Sequence, residues 1–110
     1  MKQYSFRDKE ELKINCYKWE SKGKNIKGVV QIVHGMSEHA LRYDFFARKL
    51  TEEGYIVYAH DHRGHGKTAL SKELFGYIAD DDGFNWMVSD VKEHLDLIKN
   101  YHLTIKERYN

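Results

Sequence analysis

The chain has 110 residues, which bounds it to one domain or part of one, able to remove roughly 60–70% of its unfolded surface from water. Lys and Arg total 18 against 17 Asp and Glu, a net charge of +1 with no basic block, so nucleic acid is not an expected partner. One cysteine, Cys16, excludes an intrachain disulfide framework and fits a reducing, cytoplasmic setting; Met1–Asp8 lacks the apolar core of a signal peptide, and no apolar run approaches the roughly 18 residues that span a bilayer.

Tyr4–Phe6 and Leu12–Tyr17 alternate apolar with polar residues around the turn-like Asp8–Glu11. That is strand period, and it predicts an antiparallel hairpin with one face on a core and one in water. Trp19 extends the second strand on the face opposite Cys16. Ser21–Asn25 reads as a loop. Gly28–Val33 is then almost continuously apolar, which predicts a strand buried on both faces, as parallel strands are. Tyr43, Phe46, Ala47 and Leu50 fall at helical spacing and predict one apolar stripe, with Gly54 as the left-handed stop. Tyr55–Ala59 is a second apolar strand, so strand, helix and strand form a βαβ unit. His60–Thr68 reads as a loop, and 69–83 has no clear pattern. Phe84, Met87, Val88, Val91, Leu95 and Ile98 keep helical spacing, preceded by the acidic Asp80–Asp82 and followed from His102 by a helix end and polar connector.

Chemistry is expected at His34-Gly35-Met36, where a buried strand breaks into a loop. The carboxyl ends of parallel strands are where open α/β sheets bind ligands. Glycine lets the backbone turn sharply and lets its N–H groups approach a ligand. Acyl transfer needs two such donors for the developing oxyanion, and Met36 N–H is the candidate for one of them. On the dipeptide alone, a tight strand-to-helix turn with no ligand stands beside this reading. Ser37 reads as a helix N-cap and not as a nucleophile, because it lies in the loop itself and adjacent residues cannot make a triad with it.

His34-Gly35-Met36-Ser37-Glu38-His39, then Arg42-Tyr43, then Asp61-His62-Arg63-Gly64-His65-Gly66-Lys67-Thr68, and finally Asp90-Val91 with His94 together resemble one family. It is the monoacylglycerol lipase and lysophospholipase branch of the α/β-hydrolases, also grouped as serine aminopeptidase S33 or hydrolase-4. The resemblance implies the N-terminal part of one α/β-hydrolase domain, with no second domain: a hairpin, βαβ, then a helix, the sheet left incomplete. It implies ester cleavage through an acyl-enzyme without cofactor, acting on a lipid ester. Met36 would supply an oxyanion-hole N–H, and His34 and Gly35 would shape the loop. Two departures stand in the motifs: Ser37 where the family has glycine, and Thr68 where serine is usual. After the last helix the family continues into a strand and Gly-His-Ser-Met-Gly, whose serine is the nucleophile. No Gly-x-Ser-x-Gly occurs here, so nucleophile, acid and base are not expected within these residues, and the chain alone is expected to be inactive.

Two further readings belong to other classes. His60, His62 and His65 have the spacing of a metallo-β-lactamase-type zinc motif, although Gly64 occupies its aspartate slot and no distal histidine completes it. Alternatively the chain is a non-catalytic remnant or interaction module. An unfinished sheet would expose an apolar edge, so self-association is then expected, with at most weak contact to a membrane surface. His94 and His102 are expected to be solvated or capping.

Overall fold

A computed structural model describes residues 1–21, 23, 25–35, 38–63 and 83–109, with side chains described up to 103 and not for 83 and 84. β1 (Lys2–Arg7) and β2 (Lys13–Trp19) form the expected antiparallel hairpin, with Tyr4 opposite Cys16. Its turn is built by Asp8, whose Oδ1 accepts the N–H groups of Glu10 at 2.9 Å and Leu12 at 3.0 Å. That Asx arrangement frees Glu11 to take φ 63°, a left-handed conformation. β3 (Gly28–Ile32) leads through a 3-10 turn (Ala40–Tyr43) into α1 (Asp44–Glu52) and then β4 (Tyr55–His60), which pairs parallel to β3. The βαβ unit is therefore present. Gly54 follows α1 at φ 99°, as the helix stop requires.

The sheet order is β1-β2-β4-β3. β4 is the interior strand, antiparallel to β2 and parallel to β3, and Val57 to His60 are buried along it. This corrects the expectation for Gly28–Val33. Among the described residues β3 has one hydrogen-bonded neighbour; Val29 in it is 40% exposed, and Val33 just past its end is 50% exposed. The hairpin expectation holds for β1, whose Tyr4 and Phe6 are half-buried between exposed neighbours. It fails for β2, which is buried on both faces because helices lie on both sides of it.

On one face, Tyr17, Trp19, Val57 and Ala59 pack with Ala40 and Ala47, and Val30, Ile32, Leu41 and Leu50 close around them. Trp19 Nε1–H donates to Asp44 at 2.8 Å and ties β2 to α1. Ala47 and Leu50 face inward as expected, with Thr51 buried beside them, but Phe46, expected in the same stripe, is 54% exposed.

The other face meets α2 (Gly83–Tyr109), which begins where expected but continues through 102–109. No Gly or Pro interrupts that stretch after Gly83, so nothing in it breaks a helix. The buried stripe of α2 is Asp90, His94 and Ile98, one turn apart each, while Val88 is exposed and Val91 and Leu95 only half-buried. His94 is not solvated, as its spacing had suggested; it is fully buried. His102 is half-buried and shares a 2.8 Å hydrogen bond with the Tyr58 hydroxyl.

Candidate functional site

Because β3 and β4 are parallel, their carboxyl ends deliver two loops to one edge of the sheet. The loops are joined by two reciprocal hydrogen bonds. The His62 backbone N–H donates to His34 Nε2 at 2.9 Å, and His62 Nε2 donates to the His34 carbonyl at 2.9 Å. A ring nitrogen facing an N–H is the unprotonated one, and a ring nitrogen facing a carbonyl carries the proton. The partners therefore assign His34 as the Nδ1–H tautomer, donating to the Gly35 carbonyl at 2.7 Å, and His62 as the Nε2–H tautomer. Both residues are buried, with ring centroids 4.2 Å apart.

Gly35 is bound at both its amide and its carbonyl. Its N–H donates to Glu38 Oε2 at 2.6 Å, and its carbonyl also receives the Glu38 N–H at 3.3 Å. A Cβ at Gly35 would stand 3.0 Å from Glu38 Oε2, so close approach alone favours glycine here. The same carboxylate accepts the Tyr43 hydroxyl at 2.8 Å and pairs with Arg42 at 3.5 Å. These donors, the Gly35 N–H foremost, hold the Glu38 carboxyl below its usual range. The Gly35 amide is thus engaged within the loop. Met36, the expected oxyanion donor, lies outside the described residues, as do Ser37 and the stretch 64–68 with His65.

Behind the loops the anchors are polar, and Asp61, Arg63, Asp8 and Asp90 among them are buried. Asp61 accepts the Tyr17 hydroxyl at 3.0 Å, Asn15 Nδ2 at 3.2 Å and the Ala40 backbone N–H at 2.9 Å. It fixes the start of the 3-10 turn to β2. Arg63 reaches Asp8, Glu10 and, at 2.9 Å, Asp90. It joins the hairpin turn to α2 and stacks on Trp86 at 5.3 Å. Burial, with Asp8 beside it, pushes Asp90 up to about 7. Burial acts on Asp8 in the same sense, but hydrogen bonds with Asp90, the Leu12 N–H and Arg63 outweigh it and hold Asp8 low.

His60 turns to the α2 face. The Tyr4 hydroxyl is hydrogen-bonded to His94 Nε2, and His94 Nδ1 shares a hydrogen bond with His60 Nδ1 at 2.9 Å. Phe6 stacks on the His94 ring at 5.6 Å. Burial holds His94 down to about 4 and His60 well below its ordinary value. The zinc reading gains nothing from this geometry. His60 and His62 point into different hydrogen-bonded partnerships, and no three His, Cys, Asp or Glu among the described residues could hold a metal.

The profile of the Hydrolase_4 family, described as serine aminopeptidase S33, matches residues 24–107. The chain belongs to that family. The serine aminopeptidase S33 match takes in both loops, the helix between them and most of α2. Among curated relatives, a monoglyceride lipase homolog of Monkeypox virus is 38% identical over 67% of this chain and 25% of its own length. The monoglyceride lipase of Mus musculus is 34% identical over 76% of this chain and 25% of its own length. A thermostable carboxyl esterase from Bacillus coagulans, solved with glycerol, superposes with a TM-score of 0.77 at 28% identity, covering 92% of this chain and 32% of that one. The chain spans about a quarter of the length of the curated relatives it matches. The α/β architecture expected from the motifs is therefore shown, as an incomplete sheet carrying family loops.

Of the site residues read from sequence, the structure brings His34 and Gly35 together with His62 and Glu38. What sequence reasoning missed was the anchoring by Asp61, Arg63 and Asp90. A signal was present: Asp90 and His94 lie one turn apart in line with Ile98, interrupting the apolar spacing of α2.

Proposed function

We propose that this chain supplies the oxyanion-hole loop of a serine hydrolase that cleaves monoacylglycerol-type lipid esters through an acyl-enzyme. Met36 N–H donates to the oxyanion, and His34 and Gly35 shape its loop. The nucleophile, acid and base come from residues outside these 110. The observation that supports this reading best is the double hold on the Gly35 carbonyl, by His34 Nδ1–H at 2.7 Å and Glu38 N–H at 3.3 Å. A peptide group is planar, so fixing that carbonyl constrains the plane of the peptide that carries the proposed donor. Preorganised donors of this kind are what stabilise a developing oxyanion at no reorganisation cost. Similarity to monoglyceride lipases supports the substrate class. No helix among the described residues is long and apolar enough to cross a membrane, and the buried free thiol of Cys16 suits a reducing compartment, which supports a cytosolic setting. Among the described residues the outer edge of β3 has no strand beside it, which supports association of the isolated chain with itself.

The test is a chimera in which this chain replaces the matching quarter of the mouse monoglyceride lipase. It is expected to hydrolyse monoacylglycerol. Met36→Pro, which deletes one N–H, is expected to lower kcat about 10²–10³-fold with KM little changed, and Met36→Ala to stay near the parent. A folded chimera whose Met36→Pro variant keeps its full kcat would overturn the assignment of that donor.

A further inference from the structure

We propose that His62 is a positioning residue: it sets the orientation of the His34–Gly35 peptide from the neighbouring loop. Its catalytic meaning rests on the oxyanion-loop reading, but the geometry that carries it stands apart. The peptide between His34 and Gly35 is gripped at both ends. His62 Nε2–H holds its carbonyl at 2.9 Å, and Glu38 holds its N–H at 2.6 Å. The two grips differ in kind. His62 is buried, so its bond is shielded from competing water, whereas the Glu38 carboxylate is partly exposed. Gly35 has no Cβ to resist rotation of that peptide, so the loop's own chain does not fix it.

His62 is itself mounted rigidly. Its backbone N–H is taken by His34 Nε2, which closes the reciprocal pair. The residue before it, Asp61, is bound to Asn15, Tyr17 and Ala40. The residue after it, Arg63, is bound to Asp8, Glu10 and Asp90. The imidazole thus stands between two residues anchored to β2, the hairpin turn and α2. The pairing also demands one tautomer from each ring. A proton on His34 Nε2 would face the His62 N–H, and a His62 ring with a bare Nε2 would turn a lone pair on the His34 carbonyl.

The experiment uses the isotopically labelled chain and two magnetic readouts. Long-range imidazole ¹H–¹⁵N spectra are expected to show His34 as Nδ1–H and His62 as Nε2–H. The Gly35 amide proton is expected at low field and slow to exchange, because it faces a carboxylate. His62→Phe is expected to remove that low-field shift and quicken Gly35 exchange about tenfold or more, relative to the Val57 amide in the core. His62→Gln, whose side-chain N–H can reach the same carbonyl, is expected to restore both to within about twofold. A merely structural role would move Gly35 and Val57 together and would not be rescued by glutamine. The proposal is overturned if His62 carries its proton on Nδ1, or if folded His62→Phe keeps the parent Gly35 signal. Should His62→Phe not fold, the parent tautomers and the glutamine variant decide. Neither readout needs turnover. Correct tautomers beside a chimera that cleaves no ester would uphold the positioning role and overturn only the hydrolase reading.

Discussion

The two faces of the sheet are held by different physics. Between the sheet and α1 are Tyr17, Trp19, Ala47, Val57 and Ala59, an apolar cluster that gains stability from area removed from water. Between the sheet and α2, and at the loop ends, are His60, Asp61, His62, Arg63, Asp90 and His94, all buried and polar. Burying such groups costs free energy unless each finds a partner, so that face adds less stability than it adds specificity of arrangement. The apolar face would tolerate another residue of similar shape. The polar face tolerates only a residue that answers the same donors and acceptors. The family loops emerge beside these buried polar residues, at the carboxyl ends of β3 and β4, and function is expected there.

The comparison is broken most severely at Arg63. Arg63→Met leaves Asp8 as a buried anion without its cation, and a loss of about 3–5 kcal/mol is expected in urea unfolding at pH 7. The matching break on the apolar face is smaller. Val57→Ala empties a fully buried position and is expected to cost about 2–3 kcal/mol, by the same amount at every pH.

Acidification separates the faces without any mutation. His60 and His94 have depressed values in the folded protein, so the unfolded chain takes up their protons first. Stability is therefore lost as pH falls from about 6.5 towards 4. Asp90 runs the other way. Its value is raised to about 7, so its contribution is complete below the ordinary carboxylate value and fades as pH rises to neutrality. With His102 also held low by burial, three histidines stand against one carboxyl, and stability is expected to fall on balance as pH falls through that window. Urea midpoints at successive pH values check this slope, and Asp90→Asn, which removes the counterweight, is expected to steepen it. The smallest effect sits beside α1. Gly54→Ala forces a side chain into φ 99° within 3.2 Å of the Asn25 carbonyl, and a cost of about 1 kcal/mol is expected with no change in the pH slope.

The legible part of the molecule was the part made of periodicity and punctuation. The hairpin, the βαβ unit, Gly54 and the start of α2 all follow from alternation, helical spacing and one left-handed stop. The burial of β3 did not follow, because apolar content reports what a strand could bury and not which neighbours it has. β4, with β2 on one edge and β3 on the other, took the interior place. The polar stripe of α2 was hidden for a related reason. Asp90 and His94 read as surface residues until Arg63, Tyr4 and His60 supply their partners from distant parts of the chain. His34 and Gly35 were found by motif, but the residues that hold them, Glu38 and His62, act through hydrogen bonds that no spacing reveals.

The place of β4 also orders events in time. Synthesis delivers β1, β2 and β3 first, yet only β1 and β2 can pair with each other. Among the described residues β3 pairs with β4 alone, and β4 must slide between β2 and β3 and bond to both. Both pairings of β4 therefore wait until Tyr55–His60 has been made, and each closes a long loop before it brings any gain. A nascent chain arrested before Tyr55 would be a hairpin trailing an adhesive, unpaired strand. Substitutions in β4 are the ones that should slow folding, while those in β1 should mainly hasten unfolding.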